Sequence, residues 1–219
     1  MVEVPVKIYM TNLAKKAREA VRPLSLLANM TKTLALHAMA DRLEAEAEAI
    51  LAANLEDVEA VGKKLEGETN KDTVKAAVDR VRLTADEVRE MACRLREVAE
   101  LPDPVGEITK VWRRPNGMQV SRVRVPIGAI GIVSDLGPKH TTDAVALCLK
   151  AGNVSVVRGG SEWTRSNQVI GTLLREAAES SGVPAGAVTF VERSEKEAAL
   201  ELLRQNKYLD AIIPRGGAG

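Results

Sequence analysis

The first half of the chain carries apolar residues at helical spacing. Between residues 11 and 100 these residues recur every three or four positions; examples are Leu36, Met39, Leu43, Val88, Met91 and Leu95. This spacing places them on one face of an amphipathic helix. It predicts several helices that pack on one another and on a sheet, in a region closed by Pro102 and Pro104.

Capping residues predict where two of these helices begin. Thr84 and Glu87 have the spacing of a capping box, in which each side chain bonds the backbone of the other residue. Asn54 is a residue type that favours the first position of a helix. We therefore expect Asn54 to cap a short helix that Gly62 ends.

Residues 106–125 change to β-forming residues around the turn signal Pro115-Asn116-Gly117. We expect a hairpin of two strands, each of about six residues. A hairpin outside the main strand series often projects and pairs with another subunit; the alternative is an ordinary edge of the same domain. The hairpin is basic but lacks a run of interleaved aromatic residues, which favours a solvated ribbon over a nucleic-acid surface.

From residue 126 onward, short apolar runs alternate with helical periods. Four runs are predicted to be strands, at residues 127–133, 154–157, 187–191 and 209–213. Their apolar residues do not alternate with polar ones, which is typical of parallel strands covered on both faces. Thr141 or Thr142 is expected to cap the helix after the first strand, which runs to about Lys150.

The predicted fold class is α/β, with an N-terminal helical layer, a parallel βαβ sheet of about four strands and a projecting hairpin. We divide the chain into residues 1–104, 105–125 and 126–219. Ligands of such sheets bind beyond the carboxyl ends of the strands. Residues 134–140 and 158–162 follow predicted strands, so we expect the functional site there.

Composition narrows the class of protein. The chain has 219 residues, a formal net charge of +1 and 2% aromatic residues. A net charge near zero gives no electrostatic field that would attract nucleic acid, and so few aromatic residues leave no platform on which bases could stack. No apolar run approaches the length of a membrane span, and no signal peptide is evident at the N-terminus. We expect a cytoplasmic protein without a disulfide or zinc site, since its two cysteines have no partner at metal spacing.

Collinear motifs along the chain resemble the gamma-glutamyl phosphate reductases of the aldehyde dehydrogenase superfamily. These motifs are DPVG at 103–106, RVPIGAIG at 124–131, LCLKAGN at 147–153, VRGGSE at 157–162 and IPRGG at 213–217. The resemblance covers nearly the whole chain but only the N-terminal half of a typical member. It implies an oxidoreductase of proline biosynthesis that reduces gamma-glutamyl phosphate to glutamate 5-semialdehyde with NADPH.

The resemblance also implies which residues bind NADP. The first turn would contact the adenosine ribose and its phosphate, and the second turn would form another cofactor loop. The first consists of Arg158, Gly159, Gly160, Ser161 and Glu162, and the second of Arg215, Gly216 and Gly217. From the residues alone, the first would be a tight turn with a surface arginine, since two glycines after a strand are common.

Residues 134–140 depart from the family pattern. Lys139 aligns with the asparagine that donates to the oxyanion in the superfamily, and a long flexible lysine is not equivalent to it. The nucleophilic cysteine of the family would fall beyond residue 219. We expect Cys148 to be a buried structural thiol, and nothing near Cys93 in the sequence supplies a base.

These departures predict a truncated or divergent reductase that does not catalyse the reaction alone. The alternative is a non-catalytic interaction or regulatory protein that reuses the scaffold, and a decayed gene product is a third reading. The expected partners are the nucleotide and either another copy of the chain or a full-length reductase, with no nucleic acid and no membrane.

Overall fold

The computed structural model describes residues 4–66, 68 and 70–216. The helices in these ranges are α1 Val6–Ser25, α2 Asn29–Ala45, α3 Ala47–Lys64, α4 Lys71–Val81, α5 Ala85–Glu100, α6 Pro138–Lys150, α7 Thr164–Ser180 and α8 Lys196–Leu203. The strands are β1 Ile108–Arg113, β2 Gln119–Val123, β3 Ala129–Ser134, β4 Val154–Arg158, β5 Val188–Phe190 and β6 Ala211–Arg215. A short 3-10 helix, Ser161–Trp163, precedes α7.

The helical N-terminal region is confirmed, and so is one of its two predicted caps. The Thr84 hydroxyl accepts from the backbone N–H of Glu87, and the Glu87 carboxylate accepts from the backbone N–H of Thr84. The prediction for Asn54 is wrong, because Asn54 lies buried inside α3. Its amide donates to the carbonyl of Val81 at 2.9 Å and its oxygen accepts from the N–H of Leu83 at 2.7 Å.

The predicted hairpin forms a sheet of its own. Strands β1 and β2 pair antiparallel, from Ile108 opposite Val123 to Arg113 opposite Gln119. Gly117 has a φ of 85°, a conformation that glycine adopts without strain. Almost every residue of both strands is exposed, so the hairpin projects from the rest of the molecule.

The predicted parallel sheet of four strands is confirmed. Its strand order is β5-β4-β3-β6, and every neighbouring pair is parallel. The chain moves from β3 outward to β4 and β5 and then returns to the other side of β3 as β6. This reversal creates a topological switch point between β3 and β6, where ligands of open α/β sheets bind.

Helices cover both faces of the sheet. Helices α1 and α8 contact each other and β3, while α6 and α7 contact each other and the opposite side. Helices α2, α3 and α5 form a further layer over α6 and α7. One continuous core joins these layers, and among the described residues no helix is long and apolar enough to cross a membrane.

The start of α6 differs from the prediction. The helix begins at Pro138 with Gly137 as its N-cap, so Thr141 and Thr142 lie inside the helix and are buried. Proline favours the first helical position because its φ is already helical and its missing N–H would have no partner there. The Thr141 hydroxyl instead bonds the carbonyl of Pro138 and the side chain of Asn167, both at 2.9 Å.

Candidate functional site

The loops after β3, β4 and β6 meet at the carboxyl edge of the sheet. The backbone N–H of Asp135, just after β3, donates to the carbonyl of Arg215 in β6 at 2.9 Å. The Asp135 carboxylate lies 3.8 Å from the guanidinium of Arg158 at the end of β4. The structure thus brings residues 134–140 and 158–162 together with the end of β6, where the second predicted cofactor loop begins.

Arg158 is a buried residue rather than the surface arginine that the turn alone would suggest. Its exposed fraction is 5%, and its Nη2 donates to the carbonyl of Ser194 at 2.8 Å. Its Nε has no hydrogen-bond partner among the described residues. Arg158 therefore holds a positive charge beneath the turn that follows it.

Gly159 and Gly160 are needed by the packing of the turn itself. A Cβ atom at Gly159 would lie 2.4 Å from the amide nitrogen of Asn167. A Cβ atom at Gly160 would lie 2.9 Å from the ring of Trp163. The Trp163 ring also packs on Gly137, so it fills the space between the loops after β3 and β4.

Ser161 and Glu162, which is half-buried, form the outer part of the turn. Ser161 is exposed, and Glu162 is bound by an arginine from a distant part of the chain. Nη2 of Arg80, in α4, lies 2.7 Å from each carboxylate oxygen of Glu162. The outer surface of the turn therefore presents a hydroxyl group and an arginine–carboxylate pair.

Two clefts flank Ser161 and Glu162. The larger has a volume of about 590 Å³ and a polar lining that includes Lys63, Lys64 and Thr164. The smaller, of about 260 Å³, is bounded by Arg80, Asp135, Gly160 and Trp163 as well as by the turn. Both clefts are open, so the turn has polar space on either side.

A buried carboxylate fixes the helix that follows the turn. Asp57 of α3 accepts from the backbone N–H of Arg165 at 2.9 Å and from that of Ser166 at 2.8 Å. It also accepts from the Ser166 hydroxyl at 2.7 Å. Asp57 thus caps α7 from another helix, and negative charge is favoured at this end of the helix dipole.

The β6 turn is only partly described. Arg215 is half-buried, and a Cβ atom at Gly216 would lie 3.0 Å from the Asp135 carboxylate. This places Arg215 and Gly216 beside the β3 loop, at the switch point. Gly217, the third predicted residue of this turn, lies outside the described residues.

Lys139 forms an ion pair with Glu90. Its Nζ lies 2.6 Å from the Glu90 carboxylate of α5, on the exposed side of α6. This contact holds Lys139, the residue at the presumed oxyanion-donor position, to α5.

The two cysteines lie in different surroundings, and the buried one cannot serve as a nucleophile. Cys148 is buried in α6, and burial raises the pKa of its thiol to about 12. Cys93 is exposed on α5, where its Sγ lies 3.9 Å from a Glu97 carboxylate oxygen. A catalytic thiolate needs a lowered pKa or an adjacent base, and Cys148 does not meet this requirement.

The site contains donors of the kind that bind an anionic nucleotide. Among the described residues no group of three or more His, Cys, Asp or Glu side chains could hold a metal. Arginine, lysine and hydroxyl donors around a glycine turn are instead the groups that bind phosphate and ribose. A second buried nitrogen behind the turn, Nδ2 of Asn167, likewise has no partner among the described residues.

Nothing in the sequence indicated that Arg80, Asp57 or Asn54 would be part of this site. Each lies more than 75 positions before the turn and bonds to it, or to the start of α7, only in the folded chain. Asp135 had a detectable signal, because it directly follows a predicted strand.

The aldehyde dehydrogenase family model matches residues 9–217 of the chain. The gamma-glutamyl phosphate reductase of Moorella thermoacetica is 49% identical over 205 residues, which are 94% of this chain and 47% of that protein. The reductase of Clostridium tetani is 43% identical over 211 residues, 96% of this chain and 48% of that protein. The chain thus spans about half the length of these curated relatives.

Solved structures show the same similarity. The gamma-glutamyl phosphate reductase of Thermotoga maritima superposes with a TM-score of 0.86 at 37% identity, covering 96% of this chain and 49% of that one. The reductase of Saccharomyces cerevisiae gives 0.80 at 26% identity, covering 94% and 51%. An acetylating aldehyde dehydrogenase from Geobacillus thermoglucosidasius, 18% identical with a TM-score of 0.67 and coverage of 94% and 41%, shares the fold.

Proposed function

Because the chain belongs to the aldehyde dehydrogenase family, we propose that it binds NADPH for a gamma-glutamyl phosphate reductase reaction. In that reaction gamma-glutamyl phosphate is reduced to glutamate 5-semialdehyde. The relatives named gamma-glutamyl phosphate reductase, at 43–49% identity, support this choice within the family. We also propose a cytoplasmic setting, since two free thiols suit a reducing compartment.

The observation that carries the proposal is the turn from Arg158 to Glu162 at the carboxyl edge of β4. The turn borders the switch point and has open polar clefts on both sides. Ser161 and Glu162 would bind the ribose end of the nucleotide, with the buried charge of Arg158 behind them. Arg215 and Gly216 would lie along its path at the switch point.

When bound, NADPH supplies the hydride, and this chain supplies its binding and orientation. The acyl-transfer step of the family needs a cysteine thiolate. Cys148 is a buried thiol with a raised pKa, and Cys93 lies in α5, outside the loops that form the candidate site. We therefore propose that the reaction needs a thiolate from outside these 219 residues.

Titration with NADPH tests the binding function. We expect a dissociation constant in the micromolar range by calorimetry. Ser161→Trp should fill the clefts beside the turn and weaken NADPH binding by at least about ten-fold, which corresponds to the loss of one good interaction. Ser121→Trp, at an equally exposed serine of the hairpin, is the matched control and should bind as the wild type does.

Failure of the wild type to bind NADPH would contradict the proposal and favour a non-catalytic scaffold protein. A second assay follows NADPH oxidation with gamma-glutamyl phosphate. We expect no turnover by the chain alone. Turnover by the purified chain would show that these 219 residues supply the thiolate themselves.

A further inference from the structure

We propose that Arg80 determines the preference for NADPH over NADH by neutralising Glu162, an inference that rests on the proposed nucleotide-binding function. The residue lies in α4, outside the strand-end loops that form the rest of the site. Arg80 would select the nucleotide, because its charge lies near the adenosine ribose, where NADPH and NADH differ.

The contact between the two side chains is direct. One guanidinium nitrogen, Nη2, lies 2.7 Å from both carboxylate oxygens of Glu162. A guanidinium carries five N–H donors, and the Arg80 side chain is 62% exposed, so the group also faces solvent beside the turn.

The backbone that carries Arg80 is anchored to the same turn. The carbonyl of Val81, the next residue, accepts from the indole N–H of Trp163 at 3.1 Å. It also accepts from the side chain of Asn54 at 2.9 Å. These buried bonds hold the end of α4 against the turn, so the contact of Arg80 with Glu162 is built into the packing.

The two nucleotides differ only at the 2′ position of the adenosine ribose. A carboxylate at this position accepts a hydrogen bond from the 2′-hydroxyl of NADH, whereas a nearby arginine accommodates the 2′-phosphate of NADPH. An unpaired Glu162 would repel that phosphate, which carries close to two negative charges near neutral pH. With Arg80 bound to it, the pair has no net charge, and the phosphate is tolerated.

Folding does not require this pair. Exposed ion pairs contribute little to stability, because solvent screens them and both side chains lose freedom. Arg80→Gln should therefore fold normally, and any effect on nucleotide binding reports on the site. Arg89, which is 66% exposed and pairs with Asp86 in α5, provides the matched control Arg89→Gln.

The test measures dissociation constants of NADPH and NADH by calorimetry for the wild type and four variants. We expect Arg80→Gln to weaken NADPH binding roughly ten-fold, the size of a charge-assisted interaction, and to change NADH binding less than about two-fold. Glu162→Gln should bind NADPH at least as tightly as the wild type. The double variant, Arg80→Gln with Glu162→Gln, should bind NADPH with a dissociation constant within about three-fold of the wild-type value, because the repelling charge of Glu162 is gone. Arg89→Gln should change neither constant.

The outcomes separate this inference from the proposed function. If the wild type binds neither nucleotide, the proposed function is wrong and the inference falls with it. If the wild type binds NADPH and Arg80→Gln leaves the ratio of the two constants unchanged, only the role of Arg80 is wrong. A double variant as weak as Arg80→Gln would also overturn neutralisation as the cause.

Discussion

Asp57 caps a helix from which it is separated by more than a hundred residues. Three donors of the α7 start converge on its carboxylate, and Asp57 is itself buried. A cap from the adjacent residue would fix only the helix, whereas a cap from α3 also fixes where α7 begins relative to α3. At the residue scale, Asp57 therefore sets the position of the turn that precedes α7.

Removal of this carboxylate should destabilise the protein. Asp57→Ala leaves buried backbone N–H groups of α7 without an acceptor, at a cost of about 2 kcal/mol in the free energy of unfolding. Urea unfolding followed by circular dichroism measures the change. Asn70→Ala removes the exposed cap of α4 and is the control, with a cost of about 1 kcal/mol or less. Equal losses in the two variants would contradict the argument from burial.

The two cysteines should differ in reactivity because burial raises the pKa of Cys148 to about 12. At pH 8, iodoacetamide should modify Cys93 in the native protein and reach Cys148 only after unfolding. Mass spectrometry counts the labels, and Cys93→Ser should leave the native protein unlabelled. Rapid double labelling of the native wild type would contradict the burial of Cys148.

Ionisation of the Cys148 thiol should make the stability of the protein depend on pH in a defined direction. In the unfolded chain Cys148 ionises near its ordinary pKa of 9.0, whereas in the folded chain it stays protonated to about 12. Above pH 9 the folded state therefore binds more protons, and the contribution of Cys148 to stability decreases as the pH rises to about 12. Urea midpoints of Cys148→Ala should fall less over this range than those of the wild type.

At the scale of elements, two buried lysines join the ends of three helices. Nζ of Lys150, the last residue of α6, donates to the carbonyl of Ala99 in α5 at 2.7 Å and to Asn29 at the start of α2 at 3.1 Å. Nζ of Lys32 lies 2.6 Å from Asp103 and donates to the carbonyl of Lys150 at 3.2 Å. Burial is the main cause that lowers the pKa of Lys150. Cations are favoured at helix C-termini, so this cluster satisfies the carbonyls of α5 and α6 together.

Loss of Lys150 should loosen this junction. Lys150→Ala leaves the carbonyl of Ala99 and the side chain of Asn29 without their donor, at a cost of about 2 kcal/mol. Lys139→Ala, which breaks an exposed ion pair on the same helix, should cost less than about 1 kcal/mol. Denaturant unfolding of both variants provides the comparison, and a Lys150→Ala loss no larger than that of Lys139→Ala would contradict the role of the cluster.

At the scale of the whole molecule, the hairpin is the part least supported by the rest of the fold. Its two strands form a separate sheet, and its apolar residues Ile108, Val111 and Val123 are exposed. An isolated two-stranded hairpin is marginal in water. We therefore expect the hairpin to pair with that of a second copy of the chain.

Light scattering tests this self-association. The wild type should have at least twice the monomer mass of 23.6 kDa. Ile108→Asp should shift it towards the monomer without loss of helical content, because a charge opposite Val123 disfavours an apolar interface. Ser121→Asp, at an exposed polar position of β2, is the control and should associate as the wild type does. A monodisperse wild-type monomer would refute the expectation.

The sequence by itself determined the types of element, their order and the loops that carry the site. Apolar spacing reports which face of a helix or strand is buried, and the Thr84 cap could be predicted because its partner is three residues away. The glycine turn after β4 was visible for the same reason, because two glycines after a strand are a local pattern, whereas its expected role in cofactor binding came from the family resemblance.

Only the tertiary structure decided which side chains act on that turn. Asn and Asp are common at helix caps and on surfaces, so Asn54 and Asp57 look ordinary in the sequence, and Arg80 is one of many arginines. Their partners lie 27 to 112 positions away in the chain. Local patterns carry no information about such distant pairings, because the geometry that joins them exists only after α3, α4 and α7 have packed together.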